Sequence, residues 1–583
     1  MFLEKYNEWL EKVDDSEREE LLSIRNDNKE IKERFMLDLA FGTAGMRGTI
    51  KLGTFNMNKY TVMRATQGLS EYINTLGDEC KKRGVVISYD TRRYSFEFAL
   101  TAAKVLAKNE IQVYLYNDVR PVPMCSFAVR ELKAIAGIMI TASHNPKEYN
   151  GYKVYGEDGA QLDLDATKKV VEYINSIKDY FSINMVDIDI KSKEQIKGKD
   201  NEDIHKYIKI LGETIDNKFL DNVKKQILSK EAITIAKNSL KIVYTPIHGS
   251  GAMPVTKMLD FMGINYLTVK EQMIPDTEFS TVSTPNPEQA DALEMGISLA
   301  KKNGADIVVG TDPDCDRMGI AIKDDKGEYI LLNGNQIGAL MLNYELTRRA
   351  ELGVLPDNAA IVKTIVTSKI ADKIAQKHKA TVFDVLTGFK FIGEKIKEWE
   401  KSNAHTYVFG FEESYGYLAG THARDKDAVV AVTVFADMAC YYKSKGKSMH
   451  EVLEELSLEF GYYIEKSLSL TFKGLDGMEK MDYIMQQLKK NRLESINNIP
   501  LESVEDFGDG EKFYSTGAIE NIDLPRSNVI KYNFNDFEWA CVRPSGTEPK
   551  LKIYVSVCAD TAKEAVKKAN NIIEALKSII ESY

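Results

Sequence analysis

The segment Thr141-Ala142-Ser143-His144-Asn145-Pro146 sets a lone serine directly after an apolar run, Ala134-Ile135-Ala136-Gly137-Ile138-Met139-Ile140. A second run, Ile307-Val308-Val309-Gly310, leads into Asp312-Pro313-Asp314-Cys315-Asp316-Arg317. Short apolar runs of this kind are the pattern of strands buried on both faces. Ligands of open α/β sheets bind just beyond such strand ends. The hydroxyl of Ser143 could carry a phosphoryl group, and His144 and Lys153 lie near enough in sequence to screen its charge or move a proton. Three carboxylates at period two point to one side of an extended segment. There they repel one another unless a cation lies between them. Oxygen donors with no His or thiolate among them favour Mg²⁺. An EF-hand is excluded, because Arg317 stands where its glycine belongs and Lys323 where its final glutamate belongs. Alternation turns Cys315 away from the ion and leaves Arg317 placed to meet a phosphate. The two loops read together as a phosphoserine and its metal.

Three further loops carry suitable groups. Arg543-Pro544-Ser545-Gly546-Thr547-Glu548-Pro549-Lys550 joins a guanidinium, two hydroxyls, a glycine and a lysine, which is what a dianionic phosphate needs. It lacks the Gly-Lys-Ser/Thr of a P-loop. Phe41-Gly42-Thr43-Ala44-Gly45-Met46-Arg47-Gly48 could form a backbone anion nest. Gly410-Phe411-Glu412-Glu413-Ser414-Tyr415-Gly416 could bind sugar hydroxyls through Glu412 and Ser414. Each of these is also compatible, taken alone, with an ordinary polar turn. A Gly-x-Ser-x-Gly elbow is missing around Ser143, which argues against esterase chemistry.

The elements that must position these loops alternate strand and helix, the βαβ signature. Val85 to Tyr89, a helical run near Phe96 to Lys108, and Val113 to Leu115 open the first unit. The pattern restarts at Leu240 to Tyr244 and again near Ala359 to Val362, and Thr406 to Phe409 precedes the Glu412 loop. Residues 1 to about 40 read as helical, with Ser16-Glu17-Arg18-Glu19 in the form of a capping box. The stretch from Asp165 to Ser239 is charged and helical in character, with Lys197 to Asp203 as a surface loop. After about Leu468 strand-like pieces and turns give way to an amphipathic helix over Asp560 to Ser582. The expected fold is α/β: three related α/β domains and a smaller C-terminal α+β domain, with borders at 1–205, 206–325, 326–465 and 466–583.

Bulk properties fit that plan. With 583 residues, a prior of about 150 per domain suggests roughly four. The 44% hydrophobic and 28% charged content is that of an ordinary soluble protein. The longest nearly apolar run, Ala428 to Tyr442, is shorter than the ~20 residues of a membrane helix. Met1-Phe2-Leu3-Glu4-Lys5 lacks the basic start of a signal peptide, and the six scattered cysteines have no zinc or redox spacing. A cytoplasmic protein with no membrane partner is expected. A net charge of −10 argues against nucleic acid, and a small anionic substrate needs only a local group of Arg and Lys.

Taken in this order, the five loops resemble the α-D-phosphohexomutase family from about Phe41 to Val557. The resemblance implies four domains around a deep central cleft. It implies that Ser143 is phosphorylated in the resting enzyme, that Asp312, Asp314 and Asp316 hold Mg²⁺ with an oxygen of the phosphorylated Ser143, and that His144, Lys153 and Arg47 surround the phosphoryl group. Lys363 and Thr387-Gly388-Phe389-Lys390 match substrate contacts; Arg317 joins them as a substrate contact through its own place beside the ion. Glu412 and Ser414 match the sugar-hydroxyl pair, and Arg543, Ser545, Gly546 and Thr547 the distal phosphate clamp.

The implied reaction interconverts glucose 1-phosphate and glucose 6-phosphate through glucose 1,6-bisphosphate, which also serves as activator, in a monomer or homodimer. Glucose is favoured over mannose or pentose by resemblance alone, through Phe411 to Tyr417. Phosphomannomutase, phosphopentomutase and glucose 1,6-bisphosphate synthase share nearly all these loops. An aspartate-nucleophile phosphatase leaves Ser143 and the Arg543 loop without a task. A sugar-phosphate-binding regulator that has lost turnover would be expected to lack a ligand or the serine.

Overall fold

The computed structural model describes residues 2–42, 45–472, 477–544 and 550–583. The chain divides into two compact units. One runs to Leu332 and takes in Ile392–Lys401 and Gly416–Gly446; the other holds Asn333–Phe391, Ser402–Tyr415 and Lys447–Tyr583.

The first unit contains two mixed sheets. In the first, Ala136–Ile140, Val85–Tyr89, Val113–Tyr116 and Ile208–Leu211 run parallel in that spatial order. Each of the first two is buried at every position, as a sheet covered on both faces requires. Two antiparallel strands, Tyr149–Gly156 and then Met46–Thr49, extend one edge. The sheet continues to Leu211, so the charged stretch before Ser239 contains two strands, Asp203–His205 and Ile208–Leu211, between its helices. In the second sheet Ile307–Thr311, Lys241–Thr245 and Asn265–Thr268 are parallel, and Met318–Lys323 and Tyr329–Leu332 complete it antiparallel.

The N-terminal helices Phe2–Lys12, Asp15–Ser23 and Asn28–Phe35 bury Tyr6, Trp9 and Phe35 in a cluster with Tyr60 and Tyr180. The second of them starts one residue before Ser16, and its cap residue Asp14 makes no side-chain cap bond. The expected capping box is therefore not formed; Ser16 lies inside the first turn. The apolar run 428–442 forms the helix Ala428–Ser444, capped by Asp427, whose carboxylate accepts from Val429 N and Val430 N. Among the described residues no helix is long and apolar enough to cross a membrane.

In the second unit Thr381–Val385, Ala359–Thr364 and Thr406–Glu412 run parallel. An antiparallel sheet follows, from Tyr462–Thr471 through Lys550–Ala559, Glu538–Pro544, Ile530–Asn535, Ser503–Asp506 and Glu511–Tyr514 to Ile519–Asn521. Helices Gly477–Lys490 and Ala562–Glu581 bury their apolar stripes against one of its faces, with Ile484, Leu488, Ile572 and Leu576 in that core. The other face packs Trp539 and Cys541 against Ile365, Val366 and Leu386, which follow the parallel strands. The C-terminal sheet thus begins at Tyr462, several residues before the change of texture seen near Leu468.

Candidate active site

The antiparallel edge of the first sheet gathers the serine and two of its expected neighbours. Ala136–Ile140 delivers the chain to Ser143, Tyr149–Gly156 returns beside it with Lys153 opposite Met139, and Met46–Thr49 places Arg47 opposite Gly151. Arg47 Nη1 donates to Asn145 Oδ1 at 3.0 Å. Ser143 is buried and holds φ at +53°, a left-handed conformation that a side chain rarely adopts. Its N–H donates to Thr141 Oγ1 at 2.8 Å, its Oγ donates to Asp312 Oδ2 at 2.9 Å, and His144 Nδ1 lies 3.2 Å from that Oγ. Strain of this kind clusters at functional sites.

Asp312, Asp314 and Asp316 converge, each offering an oxygen within 4.8 Å of the others, and all three are buried. The reason differs from the one the spacing suggests. Residues 313–315 form a turn with Cys315 at φ +50°, and Asp312 Oδ1 accepts from Asp316 N and Arg317 N at 3.0 Å each. Convergence therefore comes from a tight turn closed on Asp312, not from alternation along an extended strand. Cys315 is buried on the side of Gly251, where a methyl would approach its Sγ to 2.7 Å. The turn rests on the loop before Ala252–Met262: Ser250 N and Oγ both donate to Pro313 O at 2.8 Å. A methyl at Gly249 would meet Pro313 Cα at 2.6 Å, so only glycine permits that approach.

Two lysines face the carboxylates, and Arg317 Nε lies 4.0 Å from Asp316 Oδ1. Lys153 Nζ donates to Asp314 Oδ2 at 2.8 Å and lies 3.5 Å from Asp316 Oδ2. Lys426 Nζ lies 3.4 Å from Asp316 Oδ2 and 2.9 Å from Asp425 Oδ1. Burial, and then repulsion from Asp314 and Asp316, pushes Asp312 well above the usual carboxylate range. Asp314 is held below that range in spite of burial, chiefly by Lys153. The same attraction raises Lys153 in spite of its burial. Burial, followed by the Arg317 and Arg47 charges, pushes His144 far below the ordinary imidazole value, so its ring is neutral at pH 7. Arg317 pairs with Glu288.

A divalent cation fits this donor set. Asp314 Oδ1 and Asp316 Oδ1 are buried without a hydrogen-bond partner, and an all-oxygen cluster suits Mg²⁺. Buried carboxylate oxygens left in that state are costly unless something positive meets them.

The second unit brings together other residues named from the sequence. Glu412 closes the strand Thr406–Glu412, and its Oε1 accepts from Gly388 N at 2.8 Å. Gly388 takes φ +124°, between the half-buried Thr387 and the buried Phe389 that opens the helix Phe389–Ser402. Lys390 Nζ lies 4.7 Å from the centre of the Phe391 ring. Ser414 lies half-buried in the turn after the strand. Lys363 is fully buried and pairs with Asp384 at 2.5 Å and Asp372 at 3.3 Å. Arg543 ends its strand in the C-terminal sheet and exerts its charge on Glu413. Ser545, Gly546 and Thr547 lie outside the described residues.

Lys426 was not singled out from the sequence, although a signal existed. Arg424-Asp425-Lys426-Asp427 is a run of four charged residues, ordinarily a solvated surface, yet it abuts an apolar helix and all four are buried. Buried charges at that density need one another or a ligand.

Comparison with known proteins agrees along nearly the whole chain. Four models of the phosphoglucomutase/phosphomannomutase family match: α/β/α domain I at residues 38–181, domain II at 217–327, domain III at 333–460 and the C-terminal domain at 494–572. A protein from Staphylococcus epidermidis named phosphoglucomutase is 37% identical over 569 residues, 97% of this chain and 99% of its own. One of the same name from Staphylococcus aureus is 36% identical over 567 residues, 97% of this chain and 98% of its own. Solved structures that share the fold include the following two. Parafusin of Paramecium, described as a phosphoglucomutase, aligns with TM-score 0.68 at 18% identity over 94% of this chain and 96% of its own. A phosphomannomutase-like protein of Thermus thermophilus aligns with TM-score 0.66 at 20% identity over 94% of this chain and 99% of its own. With all four domain models matched in order, the chain belongs to the phosphoglucomutase/phosphomannomutase family of isomerase-class phosphotransferases.

Proposed function

We propose that the chain is a phosphoglucomutase, which interconverts glucose 1-phosphate and glucose 6-phosphate through a phosphoserine at Ser143 and a glucose 1,6-bisphosphate intermediate. The observation that carries this reading is the approach of Ser143 Oγ to Asp312 at 2.9 Å, at the rim of a buried carboxylate cluster. The names of the staphylococcal relatives support glucose as the sugar.

In the first half-reaction the bond between phosphorus and Ser143 Oγ breaks and a bond to the free sugar hydroxyl forms. The hydroxyl proton must finish on Ser143 Oγ, and neutral His144, 3.2 Å from that oxygen, is placed to relay it. Lys153 faces the same carboxylates and would meet the charge of the moving phosphoryl group. The second half-reaction reverses these steps with the bisphosphate turned end for end. Mg²⁺ held by Asp312, Asp314, Asp316 and the serine phosphate would supply neutralisation of that charge. Glu412 and Ser414 would take sugar hydroxyls and Arg543, with Ser545, Gly546 and Thr547, the distal phosphate. Lys363, Thr387, Gly388, Phe389, Lys390 and Arg317 would complete the substrate contacts.

The test is a coupled assay of glucose 1-phosphate to glucose 6-phosphate with Mg²⁺ and a trace of glucose 1,6-bisphosphate, beside mannose 1-phosphate and ribose 1-phosphate. Preference for glucose is expected; preference for another sugar moves the specificity, and a folded Ser143→Ala variant that keeps wild-type turnover sinks the phosphoserine mechanism.

A further inference from the structure

Resting on that reading of Ser143, we propose that Arg92 is the positioning residue of the phosphoryl-carrying loop. It acts through the backbone of the loop.

Arg92 follows the strand Val85–Tyr89, which runs parallel to Ala136–Ile140 with Tyr89 opposite Ile140, so the two loops leave the sheet at the same end. Its guanidinium is fully buried and gathers four carbonyls of the Ser143 loop. Nη1 donates to Pro146 O at 2.8 Å and to Tyr149 O at 3.1 Å, and Nη2 donates to Ser143 O and Asn145 O. The fork is aimed from behind by Asp90, whose Oδ2 lies 3.3 Å from Arg92 Nε, and covered by Phe279, whose ring centre lies 5.1 Å from the guanidinium carbon.

The same Asp90 Oδ2 accepts from Thr141 Oγ1 at 2.6 Å, and Thr141 Oγ1 in turn accepts from Ser143 N at 2.8 Å. Asp90 Oδ1 is occupied separately, by Arg92 N at 2.9 Å and Ser95 Oγ at 2.7 Å. Ser143 is therefore gripped on both sides of its α-carbon, at its N–H through Thr141 and at its C=O by Arg92. Both grips lead to one buried ion pair. This arrangement accounts for a serine held at φ +53°, the conformation in which its Oγ reaches Asp312. Four acceptors spread along a loop need the planar, five-donor fork of arginine; one ammonium cannot span them.

The experiment uses the full chain with Arg92→Lys, Arg92→Ala and Ser143→Ala. Two quantities are read: kcat and KM for glucose 1-phosphate, and the rate at which glucose 1,6-bisphosphate phosphorylates dephosphorylated enzyme, followed by intact mass. Misplacement of a reacting group by about 1 Å costs on the order of a hundredfold. Arg92→Lys is therefore expected to lose about that factor in kcat and in Ser143 phosphorylation, with KM within about threefold of wild type. Added guanidinium should partly restore Arg92→Ala. A folded Arg92→Lys protein with kcat near wild type, or one whose loss lies in KM, overturns the proposal. If both Arg92 variants fail to fold, Asp90→Asn must show the same kcat-specific loss, and a wild-type phosphorylation rate in it overturns the proposal. Turnover by Ser143→Ala sinks the phosphoserine reading instead, whatever the Arg92 variants do.

Discussion

Ser143 Oγ donates to Asp312 Oδ2 at 2.9 Å across 169 residues of sequence, joining the candidate phosphoryl carrier to the candidate metal cluster. Asp312 is also the carboxylate that burial and its two acidic neighbours push well above the usual range. Those surroundings favour the protonated form of Asp312 in the metal-free protein, whereas a divalent cation favours the carboxylate. Metal binding should therefore release a proton, and affinity should rise with pH until Asp312 ionises unaided. Titration calorimetry with Mn²⁺ in two buffers of different ionisation enthalpy measures this. Identical apparent enthalpies would show that no proton leaves and that Asp312 is already charged.

Lys153 stands against Asp314 and Asp316 as the cluster's internal counterion. Removing one partner of a buried pair costs about 3–5 kcal/mol, because the other charge is left uncompensated. Lys153→Met should melt well below wild type without metal and recover more than wild type when Mg²⁺ is added. Equal Mg²⁺-induced shifts in the two proteins would refute the counterion role.

Glu413 offers a test in the other unit. Its Oε2 accepts from Thr364 Oγ1 at 3.1 Å and Thr367 Oγ1 at 3.4 Å, and burial, with the neighbouring Glu412, raises it to about 7. A carboxyl raised on folding favours the protonated native state, so its contribution to stability falls as pH climbs from the unfolded value near 4.5 through 7. Glu413→Gln keeps the neutral shape and removes that loss. The variant should be more stable than wild type above neutrality, by at most about 3 kcal/mol, with the gap closing in mild acid. Melting curves across that range decide it, and a constant gap at all pH values would exclude titration of Glu413 as the cause.

What was legible in the sequence follows from how local its cause is. The strands before Ser143 and Asp312 announce themselves by unbroken apolar runs, since burial on both faces leaves no alternation. The convergence of the three aspartates was also readable, but its cause was not, because the turn depends on a left-handed Cys315 that no propensity predicts. Lys426 and Arg92 stayed hidden for another reason. Their partners are backbone carbonyls and carboxylates brought near by tertiary packing, and the one local signal, the charged run Arg424 to Asp427 beside an apolar helix, reads on its face as solvated surface. The two strands 203–205 and 208–211, the last two on that side of the sheet, escaped because a charged surrounding masks such short elements.

The Lys426 ammonium lies between Asp316 and Asp425, and Asp425 Oδ2 is itself tied to Tyr155 Oη and Gln161 Nε2 at 3.1 Å each. A cation 3.4 Å from a ligand carboxylate opposes a second cation on the same group. At an effective dielectric of about 20 that opposition amounts to a few kcal/mol before relaxation. Lys426→Met should therefore bind Mn²⁺ more tightly than wild type, by roughly tenfold after relaxation, while the metal-free protein loses stability through the unpaired Asp425. Turnover should fall even though the metal is held better, which separates the role of Lys426 from that of a ligand. Weaker Mn²⁺ binding in a folded variant would mean that Lys426 orients Asp316 for the ion instead of competing with it.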